Sequence, residues 1–183
     1  MTENGLRKGG FKMIRTDRLI LEPYKAEEIS ILMEIEFAPE NCMYTWTNTA
    51  EEHEKELQDP NVWTLAVKRK ADGYIVGNAI IDLDYESEWM ELKRIALREK
   101  NQGYGRELIV ALVKHAFEEM NLNKVWLEAY TDNVVGNHLY ESIGFHVDGI
   151  LREHHKTERG ILSQVQYSML KGEYAELKAK GKF

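Results

Sequence analysis

Residues 91–107, ELKRIALREKNQGYGRE, constrain what this chain can fold into more than any other stretch. An apolar strand, Ile95-Ala96-Leu97, leads to Gln102-Gly103-Tyr104-Gly105-Arg106, and a strongly amphipathic helix follows at once. A strand, a glycine turn and a helix start in that order aim several unpaired backbone N–H groups the same way at the positive end of a helix dipole, which suits a phosphate or pyrophosphate. Glycine is needed because a side chain would forbid the torsions or hold the ligand's oxygens away. Two glycines also occur in ordinary turns, so the motif alone leaves that reading open. It is not a Walker loop, which needs Gly-x-x-x-x-Gly-Lys-Ser/Thr. The third glycine of a dinucleotide fingerprint is missing as well, with Arg106 and Glu107 at the helix start. Its place late in the chain, after several strands, argues against an N-terminal Rossmann unit.

The residues around it predict a mixed α/β sheet. Residues 1–12 are polar and glycine-rich and read as a flexible lead-in, 13–174 as one domain and 175–183 as a Lys-rich tail, a frayed helix. Leu19-Ile20-Leu21 makes a short strand stopped by Pro23, and Ile29, Leu32, Met33 and Phe37 recur at helical spacing over 25–37. Met43, Tyr44 and Trp46 sit in a polar segment, either lining an acceptor pocket or packing between helices. A helix over 49–57 begins with Thr49 and Glu52 at capping-box spacing. Strands over 62–67 and 74–81 flank Asp72-Gly73, a strong hairpin signal, and a third runs over 89–97. After the glycine turn, Leu108, Ile109, Leu112, Val113, Ala116, Phe117 and Met120 form a sheet-packing stripe interrupted by His115, which reads as a packing or surface residue. The strand 125–130 then stands in a βαβ relation to the preceding one, which implies parallel pairing. A short helix over 135–143 ends at Gly144, and strands over 147–156 and 162–170 form a final hairpin turned near Arg159-Gly160.

Composition narrows the partners. Acidic residues outnumber basic ones 31 to 24, a net charge of -7, which argues against nucleic acid and fits cationic small molecules or basic peptide ends. The one cysteine, Cys42, excludes an internal disulfide and is compatible with a reducing cytoplasm. It reads as a structural thiol, without the Cys/His cluster that a metal would need. No apolar run of about 18 residues and no leader pattern is found, so neither membrane span nor secretory signal is expected.

With Ile95-Ala96-Leu97 before Gln102-Gly103-Tyr104-Gly105, then Asn133 and Leu139-Tyr140-Glu141-Ser142-Ile143-Gly144-Phe145, residues 16–174 resemble the GNAT superfamily of acetyl-CoA-dependent N-acetyltransferases. The family's loop is Gln/Arg-x-x-Gly-x-Gly/Ala. Gln102 and Gly105 are in register, and Glu107 stands where Gly or Ala is usual. Arg15-Thr16-Asp17-Arg18-Leu19-Ile20-Leu21 resembles the branch of ribosomal-protein N-terminal acetyltransferases. The resemblance implies a mostly antiparallel sheet flanked by helices, in which the strand ending at Leu97 splays from the parallel one beginning at Val125. Acetyl-CoA would lie in that opening, its pantetheine arm on the main chain of Ile95, Ala96 and Leu97. The backbone of Gln102, Gly103, Tyr104, Gly105, Arg106 and Glu107 would hold its diphosphate. Asn133 would bond to the cofactor's amide arm, though it can equally cap the following helix. GNAT dimers are common, and a homodimer is compatible with the resemblance.

The chemistry implied is attack by a primary amine, of a small molecule or a peptide N-terminus, on a thioester within a ternary complex. The amine, of reference pKa about 10.4, must lose a proton, and the leaving thiolate must gain one. Tyr140 matches the family's donor tyrosine and stays protonated at neutral pH. A buried tyrosine there also serves as plain packing. Glu91, four residues before Ile95, matches the glutamate base of part of the family. With a reference near 4.3 it needs a raised pKa or a water relay, and it could instead pair with Lys93 or Arg94, leaving Glu88 as substitute.

Overall fold

The structure is a computed structural model and describes Phe11 and residues 13–183, so nearly all of the expected lead-in lies outside the described residues. The strands are β1 (Ile14–Arg15), β2 (Leu19–Pro23), β3 (Val62–Arg69), β4 (Ile75–Asp84), β5 (Trp89–Leu97), β6 (Lys124–Tyr130), β7 (His146–Thr157) and β8 (Gly160–Leu170). Among the described residues they make one sheet of order β1-β2-β3-β4-β5-β6-β8-β7. Every neighbouring pair is antiparallel except β5 with β6. The helices are α1 (Ile29–Phe37), α2 (Pro39–Cys42), α3 (Ala50–Gln58), α4 (Tyr104–Lys114), α5 (Val134–Ile143) and α6 (Lys171–Ala179). None is long and apolar enough to cross a membrane.

Local chemistry sets most of these boundaries. The helix expected over 25–37 opens as a 3-10 turn, Ala26–Glu28, before α1. At α3 the capping box forms: Thr49 Oγ1 accepts from the Glu52 amide at 3.3 Å, and Glu52 Oε2 from the Thr49 amide at 2.7 Å. The stripe on α4 buries Leu108, Ile109, Leu112 and Val113, and it continues through a π-turn, His115–Glu119, closed by Met120 N–H on His115 O at 3.0 Å. His115 packs between Phe11 and Trp63, at ring distances of 5.9 and 5.8 Å, and burial lowers its pKa. The last helix is no loose tail, since Tyr174 is buried and Leu177 and Phe183 pack on the core. The short strand expected at 19–21 forms as β2, and together with β1, which was not expected, it extends the sheet beyond β3.

The sheet separates two apolar layers. The larger packs Leu65, Ile81, Met90, Leu92, Val125, Leu127 and Met169 against α4, and the smaller packs Ala66, Ile75 and Ala96 with Tyr24, Leu32 and Ile35 of the α1 side. One irregularity in this frame positions the site. Ile81 faces Leu92 and Ile80 faces Arg94, so Lys93 is an extra residue in β5. Such a bulge bends the strand that carries it. Accordingly β5 pairs with β6 at Trp89, Met90 and Glu91 and then leaves it, whereas β6 stays paired with β8 from Lys124 to Tyr130.

Candidate active site

The divergence of β5 from β6 opens a cavity of about 390 Å³. Leu92, Ile95 and Leu97 wall one side, Glu128 and Ala129 the other, with Gly105 at one end and Tyr44 among the residues of α2 and its following turn. From Leu92 to Leu97 the edge of β5 that faces this cavity has no partner strand. An unpaired edge of that kind can take an extended amide-bearing ligand as an added strand. Asn41, which nothing in the sequence marked out, is 5% exposed and ties this edge down: its Nδ2 donates to Ile35 O at 2.8 Å and to Leu97 O at 3.1 Å. Ala96 is different from its neighbours, since its side chain lies in the smaller apolar layer and not on the cavity.

The glycine turn has the geometry its sequence implies. Gly103 caps α4 at φ 77°, a left-handed conformation that glycine adopts without strain. Among the described residues the amides of Tyr104, Gly105 and Arg106 have no acceptor, while Glu107 N–H already bonds Gly103 O at 3.2 Å. Gly105 abuts the cavity, where an added Cβ would reach 3.4 Å from Leu139 and 3.5 Å from Leu97. Glu107 points away from this turn. Its carboxylate accepts from Thr16 Oγ1 at 2.6 Å, Arg18 N at 2.9 Å and Arg18 Nε at 2.7 Å. Burial would raise its pKa, but these bonds hold it below the usual carboxylate range. Arg18 in turn donates to Gln102 O at 2.9 Å and lies 4.8 Å from the Tyr104 ring centre, so a cation from the first hairpin braces the turn. Arg106 turns to α5, donating to Ser142 Oγ at 2.9 Å.

Tyr140, on α5, walls the same cavity, its ring set against Phe145 and Tyr167 at 6.2 and 5.6 Å. Burial pushes its phenol up to about 12. Asn133 both lines the cavity and caps α5, its Oδ1 accepting from Gly136 N–H at 3.0 Å. A Cβ at residue 136 would fall 2.7 Å from the Asn133 amide nitrogen and so push the capping side chain aside. Glu91 is not one of the residues walling the cavity; it sits at the apex of the wedge as the last β5 residue paired with β6. Burial raises its pKa to about 7, helped by Asp82 and Glu128 and opposed by Lys93. Glu128 does reach the cavity, as does Lys93, whose Nζ pairs with Asp82 Oδ2 at 2.8 Å.

Behind the bulge lies a buried ionic cluster that the sequence did not reveal. Arg94 is 2% exposed, and Glu36 and His53 are fully buried. Arg94 pairs with Glu56, which also accepts from His53 Nδ1 at 3.1 Å, and His53 Nε2 meets Glu36 at 3.0 Å. Burial alone would lower the pKa of His53, yet the two carboxylates outweigh it and bring it to about 9. The four residues come from α1, α3 and β5, so no local spacing could have joined them.

Comparison with known proteins agrees with this geometry. Residues 18–146 match the family model described as acetyltransferase (GNAT) domain. A segment of 74 residues is 28% identical to an uncharacterized N-acetyltransferase p20 from Bacillus licheniformis, covering 40% of this chain and 42% of that protein. Among solved structures, a GCN5-related N-acetyltransferase from Brucella melitensis superposes with TM-score 0.79 at 19% identity, over 94% of this chain and 85% of that one. A mutant form of the spermidine/spermine N-acetyltransferase SpeG from Vibrio cholerae gives TM-score 0.76 at 17% identity, over 89% and 99%. At such identities the structures speak for the fold. The family match covers most of the chain, and its span holds the splayed strands, the glycine turn and Tyr140: this protein belongs to the GNAT acetyltransferase family.

Proposed function

We propose that the chain transfers the acetyl group of acetyl-CoA to a primary amine, by direct attack within a ternary complex. The observation that carries this reading is the continuity of one cavity from the unpaired β5 edge, past Gly105, to Tyr140. These residues fit coenzyme A: the free edge suits its amide-bearing arm, and the amides of Tyr104, Gly105 and Arg106 suit its diphosphate. The bound co-substrate supplies the activated acetyl group as a thioester. Main-chain groups of Ile95 and Leu97 hold the arm, Asn133 steadies it through its free Nδ2, and Gln102 and Gly103 shape the turn. Tyr140 donates a proton to the departing sulfur. Glu91, with a pKa raised to about 7, stands roughly three pH units below an amine of about 10.4 instead of six, so from outside the cavity wall it can take the ammonium proton through water.

For the acceptor, the carboxylates of Glu91 and Glu128 and the net charge of -7 favour a cation, and a polyamine is the leading small molecule. The resemblance of 15–21 to ribosomal-protein acetyltransferases keeps a peptide N-terminus as the second reading. The test is release of coenzyme A thiol from acetyl-CoA across polyamines, amino acids, aminoglycosides and short peptides. Amine-dependent release is expected with at least one class, and none with any class defeats the proposal.

A further inference from the structure

Tyr44, on the wall of the cavity, meets a segment far from it in sequence. Arg159, in the tight turn between β7 and β8, sets its guanidinium carbon 5.7 Å from the ring centre of Tyr44 and 5.4 Å from that of Tyr130. Its Nη1 donates to Asp132 Oδ2 at 2.5 Å. Tyr44 shares the cavity wall with Tyr140. Tyr130 ends β6 and is held in place: its hydroxyl lies 2.5 Å from His155 Nδ1, and the two rings stack with 11° between their planes. Trp46 closes on His155 edge-on at 5.6 Å. Two tyrosine faces and one carboxylate thus surround a single planar cation.

These are the groups that recognise a foreign cation. Aromatic faces attract guanidinium and ammonium groups through the ring quadrupole, and a carboxylate adds charge and hydrogen-bond acceptors. Each contact is individually weak where water reaches it, and the Arg159 side chain is 30% exposed, so a ligand of the same chemistry can exchange with it. We propose that Tyr44, Tyr130 and Asp132 form a subsite for a guanidinium or ammonium group of the acceptor, and that Arg159 is its resident occupant. A cationic acceptor displaces Arg159, and the turn between β7 and β8 then opens away from Tyr44. This subsite deepens the amine-acceptor reading, but its occupancy involves no acetyl transfer.

The test therefore uses binding alone. The full chain, labelled with ¹⁵N, is titrated by NMR with methylguanidinium, methylammonium and the neutral planar methylurea, as wild type, as Arg159→Ala and as Arg159→Ala with Asp132→Asn. Removing the occupant is expected to strengthen binding of at least one cation about tenfold, as expected when an intramolecular competitor is lost. Shifts should centre on Tyr44 and Tyr130, methylurea should not bind, and Asp132→Asn should reverse the gain. The stronger of the two cations names the head group. Equal affinities for wild type and Arg159→Ala, or an equal response to methylurea, would overturn the subsite. A chain that acetylates no amine could still pass this test, so its failure is separate from failure of the transferase reading.

Discussion

Glu91 and Tyr140 make opposite demands on their surroundings, and burial serves both. It lifts the carboxyl to about 7, where a base can still be free at neutral pH, and keeps the phenol protonated at about 12. For Tyr140→Phe, kcat should fall by about 100-fold or more, with affinity for coenzyme A by calorimetry little changed. For Glu91 the sign is set by a folded pKa raised above the unfolded value. The charged form is disfavoured in the fold, so stability is greatest below the unfolded pKa and declines as pH rises through about 7. Activity runs the other way, since the base works when ionised: kcat/KM should climb to a plateau above about pH 7. Glu91→Gln should remove that climb and stabilise the fold at pH 8 by on the order of 1 kcal/mol once solvent screening is allowed for, as denaturant midpoints would show. The sequence pointed to both through the family resemblance, Glu91 by its spacing from Ile95 and Tyr140 by its place after Leu139. It could not tell that Glu91 lies at the wedge apex, because that depends on where β6 stops pairing.

Secondary-structure elements were legible wherever a local signal existed. Asp72-Gly73, Thr49 with Glu52, and the stripe from Leu108 to Phe117 all specify their own geometry, and each element forms where its signal lies. Of the two readings of Asn133, cap or cofactor ligand, the cap is what forms, through Oδ1, and the residue also lines the cavity. Gly136→Ala should break that cap by contact with Asn133, destabilising by about 1 kcal/mol in thermal unfolding and raising KM for acetyl-CoA. Glu107 was not legible, because its partners Thr16 and Arg18 lie about ninety positions away. Its departure from the family's small residue has a physical reason: the carboxylate is drawn to the first hairpin, so the amides at the start of α4 remain clear of it. Glu107→Ala should untie β1 and β2 from α4, a loss of about 1 kcal/mol for a partly exposed pair, while binding of coenzyme A survives.

Across the whole molecule, the cluster of Glu36, His53, Glu56 and Arg94 joins the helical arm to the bent strand. It needs His53 charged. The folded pKa of about 9 exceeds the ordinary value of 6.5, so this contribution is full below about pH 6.5 and disappears as pH rises through 9. An accelerated loss of thermal stability between pH 7 and 9, absent in His53→Gln, would show it. Arg94→Ala should cost about 3–5 kcal/mol, because two buried carboxylates would lose their cation. No periodicity announces such a cluster; its members meet once three elements have packed. The extra residue in β5 has a last consequence. A sheet whose ladder ran unbroken would have no interior room for a second molecule, so this hollow exists through a single miscount between adjacent strands. Shortening the chain by Lys93 alone should let β5 and β6 zip to their ends, leaving a sturdier protein with nothing to catalyse.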